Sequence, residues 1–208
     1  MSVEAGDPGA RLGLRERKKL RTRQAIQNEA MRLFEANGYE ETTVEQIAAA
    51  ADISPSTFFN YFPSKEDVVL YDAYDPMIAS LLENRPAGEP LSVSFRAVLG
   101  VIGDALERDR EVVLARSRLM LQVPELRARL WEEVEKAQVF LDAAIAARTG
   151  RDPADFEIRV LMMAFVGGMM EAMREWVRQG GTAPFPDFLN RAFDVIDAGG
   201  RLDSLGSR

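Results

Sequence analysis

The 208-residue sequence contains no cysteine and no histidine. Without thiols there is no disulfide framework and no thiolate nucleophile, and without imidazole the commonest general base and zinc ligand is missing. Ser-His-Asp, Cys-His and most zinc schemes are thereby excluded, and no catalytic residue, metal or cofactor is expected. Long apolar runs are lacking too. The longest, Val160 to Met170, has 11 residues, against the roughly 18 or more that a membrane span needs. The first residues hold no apolar targeting core, so the expectation is a cytoplasmic chain without a membrane partner.

Basic residues are in the minority, 26 against 33 acidic ones, for a net charge of −7. That balance alone would not nominate a nucleic-acid binder. Its distribution reverses the argument: between Arg11 and Arg32 eight basic residues stand against two acidic ones, so this segment carries +6 and the remainder −13. A wide apolar count of 47% supplies a core for one or two domains.

Residues 1–10 are rich in Gly, Pro and acid with almost nothing to bury, and are expected to form a disordered leader, as residues 201–208 form a disordered tail. From Arg15 the periodicity is helical. Ala25, Ile26, Ala30, Leu33 and Phe34 share a face, and Asn37-Gly38 supplies a left-handed stop. Thr43 with Gln46 has capping-box spacing and opens a short helix burying Val44, Ile47, Ala48 and Ala51. Ser54 as N-cap with Pro55 at the first helical position starts a helix of under two turns, Pro55 to Tyr61. Ser64 with Asp67 caps a further helix running toward Leu82, with a kink expected at Pro76. Beyond the loop at Arg85 to Pro90, helices are expected at Leu91 to Asp109, Arg110 to Val123, Pro124 to Arg148, Pro153 to Gln179 (capped by Asp152) and Pro186 to Ala198. Nothing reads as strand, so the fold class is all-α.

Two short helices joined by a four-residue turn, behind a basic helix, are the parts of a helix-turn-helix DNA reader. The pattern Arg23-x2-Ile26-x3-Ala30-x2-Leu33-Phe34-x3-Gly38-Tyr39, Thr42-Thr43-Val44-x2-Ile47-Ala48, Ile53-Ser54-x2-Thr57-Phe58 and Tyr61-Phe62-Pro63-Ser64-Lys65-Glu66 resembles the tetracycline-repressor-like (TetR) transcriptional regulators over residues 15–70. The resemblance implies a three-helix DNA-binding domain over residues 11–70 and a helical ligand-binding and dimerisation domain over 71–200. It also implies double-stranded operator DNA, a second copy of the chain and a small-molecule effector as partners.

A recognition helix must offer side chains from its first turns to base edges while its other face packs inward. On Pro55 to Tyr61 the inward positions are Phe58 and Phe62, leaving Ser56, Thr57, Phe59, Asn60 and Tyr61 for DNA. Asn60 has the bidentate geometry for adenine, Phe59 suits a thymine methyl, and Thr57 and Tyr61 reach phosphate. The resemblance places contacts on Thr57, Phe59, Asn60, Tyr61 and Lys65. Lys65, Thr42 and Thr43 lie at helix N-termini, where free N–H groups favour an anion. Arg15, Arg17, Lys18, Lys19, Arg21 and Arg23 form a basic run for flanking phosphates or the minor groove. Two positions depart from the family pattern: Glu45, where many relatives are basic, and Asp52, where glycine is common.

In the second half, Leu161, Phe165, Gly168, Ala172 and Trp176 make one stripe, with Gly167-Gly168 permitting close backbone approach. With Phe188, Leu189, Ala192, Phe193 and Ile196 it supplies the material for a four-helix dimer interface. The resemblance implies an effector pocket between the preceding helices, with Ser64 to Leu82 as the lever that passes its occupation to the readers. Candidate linings are Phe95, Leu99, Ile102, Leu106, Val113, Leu119, Met120, Trp131, Val134, Phe140, Met163, Phe165 and Met170. Arg116 and Arg118 are either surface positions or a fork for an anionic head group. The segment Arg116-x-Arg118-Leu119 through Pro124-x-Leu126-Arg127, with Gly150-Arg151-Asp152-Pro153, resembles actinobacterial TetR-like members that sense acyl-CoA-type ligands. The reading is a homodimeric repressor. Its rivals are an activator, a helix-turn-helix used for protein contact, and an enzyme built on a carboxylate pair such as Glu132 and Glu133, which adjacent helix positions splay apart.

Overall fold

The computed structural model of the chain describes residues 14–71, 74–86 and 88–199. The leader and tail assigned to 1–10 and 201–208 lie outside the described residues. Ten helices and no strand are present among the described residues, in two compact units that divide after Tyr71.

The first unit holds α1 (Leu14–Asn37), α2 (Val44–Ala50), α3 (Pro55–Tyr61) and α4 (Lys65–Leu70). Helix α1 stops where Gly38 takes φ +91°, a left-handed conformation that an L side chain rarely adopts, and donates its N–H to the Phe34 carbonyl. Thr43 and Gln46 close both halves of a capping box at the start of α2. The turn to α3 carries Asp52 at φ +55°, a strained position for a residue with a Cβ, which Asp tolerates better than most. Ser54 then caps α3 by accepting the Thr57 N–H. Ile26, Ala30, Ile47, Ala48 and Phe58, none of them exposed, close the core that holds α3 in place.

The expected run from Ser64 to Leu82 is two helices. At Tyr71 the backbone leaves the helix (φ −57°, ψ 119°). The side-chain amide of Gln27 on α1 accounts for the break, donating to the carbonyls of both Val68 (2.8 Å) and Tyr71 (3.0 Å). The proline expected to kink this run sits in the first turn of a separate helix, α5 (Asp75–Glu83).

The second unit continues with α6 (Leu91–Arg108), α7 (Arg110–Gln122), α8 (Pro124–Thr149), α9 (Phe156–Arg178) and α10 (Phe185–Asp197). Helix α9 is shorter at its start than expected, because Asp155 rather than Asp152 supplies the cap, its carboxylate accepting the Glu157 N–H. Asp152 instead accepts the Ala154 N–H in the preceding turn. Helices α9 and α10 form an antiparallel hairpin: Trp176 stacks on Phe185 at 4.7 Å near the connection, while a side chain at Gly168 would meet Ile196. A ring cluster of Phe95, Phe165 and Phe193 joins α6 to this hairpin, with centroids 4.7–6.3 Å apart. Arg148 at the end of α8 fastens the α5–α6 connection, donating to the carbonyls of Leu82, Arg85, Pro86 and Glu89 and to the Ser94 hydroxyl.

Candidate DNA-reading surface and ligand-domain interior

Cap and core fix which face of α3 is free. Phe58 and Phe62 point inward at 0% and 2% exposure, and the face left outside carries Ser56, Phe59 and Asn60, flanked by the half-buried Thr57 and Tyr61. Phe59 is 52% exposed and its ring stands edge-on to Phe58 at 5.5 Å, so it is an apolar surface group held in a fixed orientation. The hydroxyls of Ser56 and Thr57 both lie within hydrogen-bonding distance of Ser54 Oγ, at 2.9 and 2.8 Å, which makes them part of the cap. Asn60 is the exposed amide on this face.

Lys65 is pinned. Its ammonium donates to the Tyr39 carbonyl at 2.8 Å and lies 4.2 Å from the Tyr39 ring centroid. Three N–H donors leave two for an anion, and the side chain is already ordered. Tyr39 in turn donates its hydroxyl to Glu66. Burial works against the Glu66 carboxylate, but hydrogen bonds from Ser64, its own backbone and Tyr39 outweigh it and hold the group below its ordinary range.

Thr42 corrects an expectation. It is 1% exposed and its hydroxyl donates inward, to the carbonyls of Gly38 and Leu33, so it shapes the loop and has no hydroxyl to offer a phosphate. Thr43 is exposed but occupied by its capping role. Arg15, Lys18, Lys19 and Arg21 are exposed on the front of α1, while the side chain of Arg17 lies outside the described residues. Glu45 is exposed at the start of α2.

In the second unit the structure gathers Phe95, Leu99, Ile102, Leu106, Val113 and Phe165 into one buried cluster, with Val134 packed against it. Met120 is buried, and Leu119, Met163 and Met170 are half-buried. Trp131 and Phe140, expected as linings, are corrected: Trp131 is 62% exposed with its indole N–H on Glu135, and Phe140 is also exposed. Helix α8 turns a different face inward. Arg116 is half-buried and Arg118 exposed, donating to the Gly180 carbonyl. Two residues apart on a helix is a rotation of about 200°, so the pair makes no single fork.

The expected subunit stripe is corrected in the same way. Ala172, Trp176, Phe188, Leu189 and Phe193 are buried inside their own chain, and Ala192 and Gly168 pack across the α9–α10 hairpin, with Ile196 as the side chain nearest Gly168. The large apolar groups turned outward on α9 and α10 are Phe156 at 72%, Leu161 at 53%, Val160 at 49% and Val195 at 63% exposure, with Ala164 and Gly167 also exposed on α9.

Of the buried polar residues that the sequence did not flag, one carries a charge. Asp142 on α8 is 6% exposed, and its Oδ1 meets no donor among the described residues. The signal available in the sequence was an acid on the same apolar helix face as Leu141 and Ile145. Burial pushes its carboxyl up, with Arg159 opposing. A carboxyl raised by folding favours the fold in its protonated form, so the contribution of this group to stability is greatest below the ordinary value of 3.8 and falls as pH rises through the raised one. Asp142→Asn is therefore expected to melt higher than the parent near neutral pH, with the gap closing below 3.8. Parallel melting curves across that range check it, and a gap independent of pH would refute it.

A capped helix-turn-helix with an exposed reading face, followed by a larger all-helical unit, defines a DNA-binding transcriptional regulator. Residues 26–71 match the bacterial regulatory proteins, tetR family, and residues 89–201 match the MftR C-terminal domain. The chain belongs to the TetR family of transcriptional regulators, which bind DNA. It is 41% identical over 195 residues to the HTH-type transcriptional regulator TcmR of Streptomyces glaucescens, covering 87% of this chain and 86% of that one. It is 29% identical to MftR of Mycobacterium tuberculosis, covering 91% and 95%. Among solved structures it is similar to the TetR-family repressor FadR of Thermus thermophilus in complex with lauroyl-CoA, with TM-score 0.56, 25% identity and coverage of 86% and 95%. No described helix is long and apolar enough to cross a membrane.

Proposed function

We propose that the chain is a homodimeric repressor of a roughly palindromic operator, released by an apolar or amphipathic small molecule. It would act in the cytoplasm without catalysis, with residues 11–70 as the DNA-binding domain and 71–200 as the ligand-binding and dimerisation domain. The observation that carries the reading is the outer face of α3, where Phe59 and Asn60 stand free on a helix held rigid from below by Phe58. Asn60 reads a base edge, Phe59 touches a thymine methyl, and Lys65 with the front of α1 takes phosphates.

Two such helices related by a two-fold axis read half-sites about 34–36 Å apart. The outward apolar groups of α9 and α10, Leu161 and Val195 among them, are the surface available for that axis. The effector enters the interior lined by Phe95, Leu99 and Phe165. The likeness to a regulator that binds lauroyl-CoA supports an acyl chain as the ligand class. A ligand need only favour the non-binding spacing by about 1–3 kcal/mol to act as an inducer.

Selection from a random duplex pool, followed by titration of the enriched duplex with acyl-CoAs, tests the reading. An enriched palindrome released by one ligand is the expected result, and no enrichment at moderate salt would overturn it. Asn60→Ala is expected to lose about 1–3 kcal/mol on the enriched duplex and little on a scrambled one. Equal losses on both would remove Asn60 as a base reader.

A further inference from the structure

Arg23 on α1 reaches under the recognition helix. Its Nη2 donates to the carbonyl of Tyr61, the last residue of α3, at 3.5 Å. The guanidinium carbon lies 5.9 Å from the centroid of Phe62 and 5.1 Å from that of Tyr71, and those two rings meet edge-on at 5.6 Å. One turn further along α1, Gln27 is 3% exposed and holds the carbonyls of Val68 and Tyr71. Tyr71 is where the first unit ends.

Cohesion alone does not account for this arginine. Its Nε is buried without an acceptor, and no carboxylate pairs with it among the described residues. Desolvating a charged donor and leaving it unmatched works against stability, and a methionine would fill the same space without that penalty. What the guanidinium adds is geometry: a flat cation fits against two ring faces while its edge meets a carbonyl, which fixes direction as well as contact.

We infer that Arg23 is a positioning residue for sequence reading. With Gln27 it clamps the C-terminal end of α3 and the exit of the chain at Tyr71 to α1, and so sets the angle at which Asn60 meets a base edge. Base readout needs side chains placed to within a fraction of an ångström, whereas phosphate attraction tolerates misalignment. The clamp therefore governs discrimination between sequences more than overall affinity for DNA. This inference rests on the sequence-specific binding proposed above.

The test uses the full chain, the duplex that the wild-type chain enriches from a random pool, and a scrambled duplex of equal length. Arg23→Met is expected to bind the enriched duplex about 10-fold more weakly and the scrambled one within about 2-fold, with the slope of affinity against salt unchanged. Tyr71→Leu should behave alike, and Tyr71→Phe, which keeps the ring, should restore the enriched-duplex affinity. The inference is overturned if Arg23→Met binds the enriched duplex like the wild type. Equal loss on both duplexes with a salt slope shallower by about 0.9 would make Arg23 a phosphate contact instead. Loss that follows a fall in melting temperature, without rescue by Tyr71→Phe, would make it merely structural. A wild-type chain that enriches no duplex defeats the reading of sequence-specific binding and this inference with it.

Discussion

Trp176→Ala is expected to lower the free energy of unfolding by about 3–5 kcal/mol, the usual range for truncating a fully buried tryptophan. The indole is 0% exposed, is stacked on Phe185 at 4.7 Å, and donates its N–H to the Ala183 carbonyl at 2.8 Å. It thus pins the connection between α9 and α10 from both sides. Arg110 also donates to the Ala183 carbonyl, so the truncation does not strand that acceptor and the loss is mostly cavity and packing. Chemical denaturation of the full chain measures it. A loss below about 1 kcal/mol would mean that the hairpin is held together elsewhere, at the ring cluster around Phe165. Trp176→Phe should recover much of the packing and lose the hydrogen bond.

Leu161→Glu combined with Val195→Glu is expected to convert the proposed dimer to a monomer and to weaken binding to the enriched duplex by about 100-fold or more. Joining two half-site readers makes the second contact intramolecular, which commonly adds a factor of 10²–10⁴ in avidity. Both residues are more than half exposed, so the charges leave the fold of one chain intact while preventing a desolvated apolar seam between two. Sedimentation and a duplex titration on the same preparation check the prediction together. A tight dimer after both substitutions would place the two-fold axis elsewhere, and the exposed Trp131 and Val139 on α8 would be the next surface to charge. A monomer that still holds the operator at parental affinity would refute the half-site argument itself.

The capping signals were legible because they are local. Thr43–Gln46, Ser54–Pro55 and Ser64–Asp67 each act within one turn, so residue type and spacing suffice to place a helix start. Helices α6, α7 and α8 likewise fall within one residue of the ranges read from their periodicity. The start of α9 was missed because Asp152 and Asp155 both offer a carboxylate at the right spacing, and their local hydrogen bonds decide between them.

The sequence by itself determined the helical class, the order of the elements apart from the break at Tyr71, the DNA-reading motif and the outward position of Phe59 and Asn60. On a helix of seven residues with Phe58 buried within it and Phe62 buried at its C-cap, only one face remains. Tertiary structure alone decided the fate of the longer helices. Where apolar residues run almost all the way round, as on α9, periodicity does not say which stripe meets its own chain and which is left for another. Packing against α6 and α10 took Phe165 and Trp176 inward and left Leu161 outside. The break at Tyr71 and the clamp by Arg23 were equally closed to a local reading. Both depend on side chains of α1 reaching more than thirty-five residues along the chain, and such contacts exist only once the helices have come together.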